Sequence, residues 1–147
     1  MSIDYRYISA NLNPEFVQEL YDDLFGIGLA PAYKHEPHCT ILFNKDDLET
    51  PLCDLDPVKT FEAFVTSVGT LGKNDLVFHL TSRDMVDEFH RLTDAGYEHS
   101  YETPLPHMTI LYDSDKYEKL LVEQNMTQWV GRRLVFGPAQ FGLKLLK

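Results

Sequence analysis

One phrase occurs twice in this chain, as Pro-His-Cys-Thr-Ile-Leu at 37–42 and Pro-His-Met-Thr-Ile-Leu at 106–111. With 8 Pro and 6 His in 147 residues, random placement gives only about 0.02 copies of Pro-His-x-Thr, so the pair marks a duplication. Each copy also ends a similar run of elements. In the first half, alternation over Tyr5–Asn11 predicts a strand. Asn13 as N-cap and Pro14 at the first helical position then open a helix, whose stripe of Phe16, Val17, Leu20 and Leu24 ends at Gly26 and Gly28. The strand Pro37–Phe43 follows.

The second half repeats this order with additions. After an acidic, Pro-containing linker, Asn44–Pro57, which reads as an exposed connection, come a strand over Phe61–Val68, a turn at Gly69–Asn74 and a strand over Leu76–Thr81. Ser82 caps a helix carrying Met85, Val86, Phe89 and Leu92 and closing at Gly96. A loop, His99–Leu105, leads to the strand Pro106–Tyr112. Ser114 caps a helix through Gln124, and a last strand, Leu134–Leu145, is interrupted at Gly137-Pro138. The expectation is one α+β domain over 1–147, with pseudo-symmetric halves of about 1–58 and 59–147. The halves either share one sheet or form two facing lobes.

Charge narrows the partners. Thirteen Lys+Arg against 23 Asp+Glu leave −10 at neutral pH, which disfavours long nucleic acid and anionic membrane but leaves room for a small phosphate ligand in a locally positive pocket. Two cysteines cannot brace a chain of this length, no apolar run approaches ~18 residues, and MSIDYRYISANLN lacks a basic region followed by an apolar block. A cytoplasmic protein, monomeric or weakly oligomeric, is expected.

Residues two apart on a strand share a face, so His38 projects with Thr40 and His107 with Thr109. Cys39, Ile41 and Phe43, and likewise Met108, Ile110 and Tyr112, then turn into the core. If the halves are related by a local two-fold, two imidazoles and two hydroxyls meet. One histidine can accept a proton from an attacking hydroxyl while the other donates to a leaving oxygen, and the threonines can hydrogen-bond phosphoryl oxygens. That chemistry calls for no metal and no cofactor. A zinc cluster of His35, His38 and Cys39 is disfavoured because His38 and Cys39 face opposite sides of a strand. His79, His90 and His99 read as packing, surface or loop residues.

These two motifs resemble those of the 2H phosphoesterase superfamily, which includes RNA cyclic phosphodiesterases of the LigT type. The stretch 61–113, ending in PHMTILYD, is further similar to the phage anti-CBASS phosphodiesterase family, and the likeness spans about Tyr5 to Asp113. The resemblance implies a bilobed 2H fold with a central cleft. It also implies metal-independent cleavage of the cyclic di- and trinucleotide messengers that activate bacterial CBASS defence, by attack of a ribose 2′-hydroxyl on the adjacent 3′–5′ linkage. His38, Thr40, His107 and Thr109 match the family motif and are carried over as catalytic. Beyond Ser114 the likeness weakens.

Aromatic faces suit base recognition. Tyr7 leads, since it matches an aromatic position of that family, with a half-buried strand residue as its other reading. Tyr5, two residues earlier, can face the same way. Trp129 and Phe141 are further candidates, with Tyr101 and Phe136, although Trp129 also reads as an anchor of the last strand. Lys34, Lys144, Arg132 and Arg133 are candidates for phosphate contact by charge alone, and for the two arginines a solvated surface pair is the other reading. Two other functions stand beside the cyclic-oligonucleotide reading. One is a phosphodiesterase acting on RNA 2′,3′-cyclic ends, and the other is a non-catalytic sponge for the cyclic nucleotide.

Overall fold

A computed structural model of the chain describes residues 2–30, 36–100 and 105–144. The order is β1 (Ser2–Leu12), α1 (Pro14–Gly26), β2 (His38–Phe43), β3 (Phe61–Leu71), β4 (Asp75–Thr81), α2 (Arg83–Asp94), β5 (His107–Leu111), α3 (Lys116–Asn125) and β6 (Arg133–Lys144), with a short 3₁₀ turn at Thr127–Trp129. All strand pairings are antiparallel. The strands close in the order β1-β2-β5-β4-β3-β6, with β6 pairing back onto β1. Of the two arrangements open to the repeated units, the structure has the shared sheet. β1–α1–β2 and β4–α2–β5 sit side by side through β2 and β5, and β6 and β3 complete the ring.

The core follows from the alternation. Ile8, Ala10 and Leu12 of β1, Phe61, Ala63 and Val65 of β3, Leu76, Phe78 and Leu80 of β4 and Leu134 and Phe136 of β6 are all buried. Leu20 and Leu24 of α1 and Met85, Phe89 and Leu92 of α2 join them, as helical spacing requires. The Ser82 hydroxyl accepts from the Met85 amide at 3.1 Å and donates to the Glu62 carbonyl at 2.6 Å, so one side chain both caps α2 and ties it to β3.

Several boundaries move. Asp115, not Ser114, caps α3. Its carboxylate accepts from the Glu118 amide at 2.7 Å while Glu118 reaches back to the Asp115 amide, and the buried Ser114 hydroxyl instead donates to the Asn74 carbonyl at 2.7 Å. β3 runs on to Leu71, leaving a turn at 72–74. β6 continues through Gly137-Pro138, whose peptide is cis, so the expected interruption is absent. The linker after β2 has no helix or strand, yet it is pinned down. Arg91 donates to the Asp54 carbonyl at 3.2 Å, the Leu52 amide donates to the Tyr97 hydroxyl at 3.1 Å, and Leu48, Cys53 and Leu55 pack on the core.

Candidate active site

The two motif strands meet at one register, Cys39 opposite Met108. Directly opposed residues of an antiparallel pair leave the sheet on the same face, and both of these are fully buried. His38, Thr40, His107 and Thr109, one residue to either side, therefore share the other face. Counting outward puts His38 beside Thr109 and Thr40 beside His107. The two histidines lie on a diagonal, a relation that normally separates Cα atoms by ~7–8 Å. The backbone of His107 also hydrogen-bonds the Cys39 thiol, and burial pushes that thiol up to about 12.

Each imidazole is anchored in the same way. His38 Nδ1 is 2.7 Å from the Glu36 carbonyl, and His107 Nδ1 is 2.8 Å from the Leu105 carbonyl, two residues upstream in both cases. A carbonyl only accepts, so the proton resides on Nδ1 and Nε2 is the nitrogen that can exchange one. The Tyr7 hydroxyl lies 3.1 Å from His38 Nε2 and 2.6 Å from Thr40 Oγ1. With His38 neutral, Thr40 donates to the phenol and the phenol donates to Nε2. Protonation of the ring reverses both bonds. Burial, opposed by the bond to Thr40, holds the Tyr7 phenol above its ordinary range, so it remains a donor at neutral pH.

Tyr7 owes its position to irregular pairing. Asp4 pairs with Gly142 and Ile8 with the adjacent Phe141, so Tyr5, Arg6 and Tyr7 bulge out of β1 with no counterparts on β6. Gly142 gives the ring room, since a Cβ there would stand 2.9 Å from Tyr7 Cδ1. Tyr5 does not join the motif residues. It packs edge-on against Phe141, centroids 5.2 Å apart, and Phe141 lies on the core beside buried Ile8.

A second irregularity recurs in both halves. Ile8 pairs with Leu42 but Ser9 with Thr40, and Leu76 pairs with Leu111 but Val77 with Thr109, leaving Ile41 and Ile110 as the extra residues. One extra residue resets the alternation, so Ile41 and Leu42 are both buried, as are Ile110 and Leu111. Phe43 and Tyr112, expected in the core, instead come round to the motif face. Phe43 is the register partner of Tyr7, with rings edge-to-face at 5.7 Å, and the Tyr112 hydroxyl hydrogen-bonds Thr109. Their signal in the sequence is that the repeat runs one residue further, as PHCTILF and PHMTILY.

Other candidates lie elsewhere. Trp129 is fully buried, stacked on Phe78 with centroids 5.4 Å apart, and its Nε1–H donates to Asp23 at 2.7 Å. With no exposed face it cannot receive a base and is a core anchor. Phe136 is likewise buried, opposite Phe61. Arg132 forks the Glu19 carboxylate at 2.8 and 2.7 Å, Arg133 pairs with Glu62, and Lys144 lies 3.6 Å from Asp47, so each of these cations already has a carboxylate. Lys34, Tyr101 and His35 lie outside the described residues. Among the described residues no helix is long and apolar enough to cross a membrane, and no group of three His, Cys, Asp or Glu is placed to hold a metal ion.

The family model described as Anti-CBASS protein Acb1 matches residues 6–135, from the bulge of β1 into β6. The chain belongs to this family. The Acb1 match spans both motifs and every element between them, and it also covers the Tyr7, Phe43 and Tyr112 positions. No curated protein sequence matches the chain. Membership of Acb1 makes this an anti-CBASS protein of mixed α and β structure.

Proposed function

We propose that the protein is a phosphodiesterase of the 2H type that cleaves a 3′–5′ linkage of cyclic di- or trinucleotide messengers and so silences CBASS signalling. The observation that carries this reading is the Cys39–Met108 register, which puts two Nδ1-anchored histidines and two threonines on one face. The Acb1 match supports it independently.

In the reaction, a ribose 2′-hydroxyl attacks the adjacent phosphorus. The O2′–P bond forms as the P–O5′ bond breaks. One histidine takes the 2′-proton on Nε2, and the other, protonated, gives one to O5′, each worth about 10²–10⁴ in rate. Thr109, and Thr40 once protonation of His38 has reversed its bond to Tyr7, donate to the non-bridging oxygens as negative charge grows there. Every proton moves between substrate and side chains of this chain, so the route needs no metal.

The test is chromatography of a 3′,3′-cyclic dinucleotide after incubation with the protein in excess chelator. Conversion to linear product is expected. Nucleotide recovered intact and bound one-to-one would make the protein a sponge, and turnover confined to RNA 2′,3′-cyclic ends would transfer it to the second reading. The net charge of −10 weighs against that last outcome, because a flanking RNA strand needs broad positive surface. A substrate with hydrogen in place of the attacking 2′-hydroxyl should bind and persist.

A further inference from the structure

We propose that His79, with Ser67 beside it, forms a second phosphate subsite that receives the non-scissile phosphate of a cyclic oligonucleotide, an inference that rests on the phosphodiesterase reading. His79 stands directly opposite His107 in the β4–β5 register, and Ser67 directly opposite His79 in the β3–β4 register. Opposed residues share a face, so His107, His79 and Ser67 form a row running from β5 through β4 to β3 on the face that carries the motif residues. The register steps confirm this orientation from the other side: neighbouring Phe78 and Met108 are opposed and both fully buried.

The His79 ring is half-buried and lies against Gly69, its Nε2 3.4 Å from where a Cβ would stand. Unlike His38 and His107, its ring nitrogens have no protein partner among the described residues, and Ser67 is exposed. An imidazole left with its hydrogen-bonding capacity unused, one strand from a reacting phosphate, is equipped to meet another anion.

Among the described residues, the opposite end of the face offers groups that are already engaged: Arg6 lies over the Phe43 ring at 5.1 Å but is paired with Asp4 and Asp47, each at 3.3 Å. The residue facing His38 is Asn11, and its amide is held by the Glu36 carboxylate at 3.1 Å. Among the described residues, a ring bearing two phosphates meets an amide and a guanidinium already held by carboxylates at that end, and an imidazole with a hydroxyl at this one. The second phosphate therefore lies toward β4 and β3, which also sets the direction in which the substrate crosses the site.

The experiment measures equilibrium binding to the His38→Ala protein, which lacks the motif histidine that lies outside this row, on β2. The probes are a 3′,3′-cyclic diadenosine nucleotide and, with a single phosphate, adenosine 2′,3′-cyclic monophosphate. Adding His79→Ala should weaken the dinucleotide about tenfold, the size of one charge-assisted contact, and leave the mononucleotide within about twofold. Ser67→Ala should act in the same direction with a smaller loss. His79→Asn, which keeps a donor and a side chain of similar reach, should recover part of the loss and guards against a folding defect. Unchanged dinucleotide affinity in His79→Ala, or equal losses for both probes, overturns the subsite. If wild-type protein neither binds nor cleaves the dinucleotide, the phosphodiesterase reading fails first.

Discussion

Cys39 faces Met108 at the register that joins the two motif strands, and this contact puts His38, Thr40, His107 and Thr109 on a common face. Neither residue has any chemistry to perform there. Both are buried, and their pairing fixes which residues of the other strand His38 and His107 meet.

Under the proposed mechanism, removing either motif histidine should abolish most turnover without unfolding the chain. His38→Ala and His107→Ala are each expected to lose at least about 10²-fold in kcat. Both rings are half-exposed, so melting temperatures should stay close to wild type. Full activity in either variant rejects paired acid–base catalysis.

Tyr7 couples Thr40 to His38, so Tyr7→Phe removes both of its hydrogen bonds while keeping the ring edge on Phe43. A fall in kcat of about tenfold is expected, the worth of one such bond in a transition state. Gly142→Ala tests the same arrangement by steric means, because the new methyl presses on Tyr7 Cδ1 at 2.9 Å. It should reduce kcat in the same direction, and wild-type rates in both variants remove Tyr7 from the mechanism.

Tyr112 holds Thr109 much as Tyr7 holds Thr40, although it follows directly after Thr109's own strand and does not come from a neighbouring one. Tyr112→Phe makes that position match Phe43. The expected result is a kcat loss of about fivefold to tenfold with little change in affinity. The preference between the two phosphorothioate diastereomers of the scissile linkage should also shift, since a misdirected Thr109 hydroxyl no longer selects one oxygen. An unaltered preference assigns Tyr112 to packing.

Burial holds His99 below the ordinary histidine range, and its Nδ1 accepts the Phe43 amide at 3.1 Å. A histidine whose folded value is depressed stabilises the fold fully above the unfolded value of ~6.5, and that stabilisation is lost as pH falls below it. The melting temperature should therefore drop between about pH 7.5 and 5.5 more steeply in wild type than in His99→Asn, whose amide oxygen can still accept from Phe43. Parallel profiles would exclude His99 as a source of acid sensitivity.

The two thiols should separate cleanly. Cys39 is fully buried with its thiol pushed up to about 12, whereas Cys53 is half-exposed on the linker. One equivalent of a thiol reagent should react promptly at mildly alkaline pH, at Cys53, and the second only after denaturant is added. Rapid reaction of both thiols in native protein contradicts the Cys39–Met108 packing.

Much of this was legible in the residues. Ser82 and Pro14 mark helix starts, Gly96 marks an end, and the duplicated motif names the four side chains with their shared facing, because caps and period-two alternation are set by residues adjacent in sequence. Trp129 was ambiguous for a physical reason. A large amphipathic ring serves a core or a ligand equally well, and its fate depended on Phe78 and on Asp23, 106 residues away.

The sequence by itself determined which residues alternate, where helices begin and which four side chains recur as a pair of couples. Only the tertiary structure decided the register of β2 against β5, the extra residues Ile41 and Ile110 that bring Phe43 and Tyr112 to the site, and the bulge that frees Tyr7 from β6. Alternation is a property of one strand. Register and bulges arise from how two strands distant in sequence match their lengths around a closed sheet, and no single segment encodes that match.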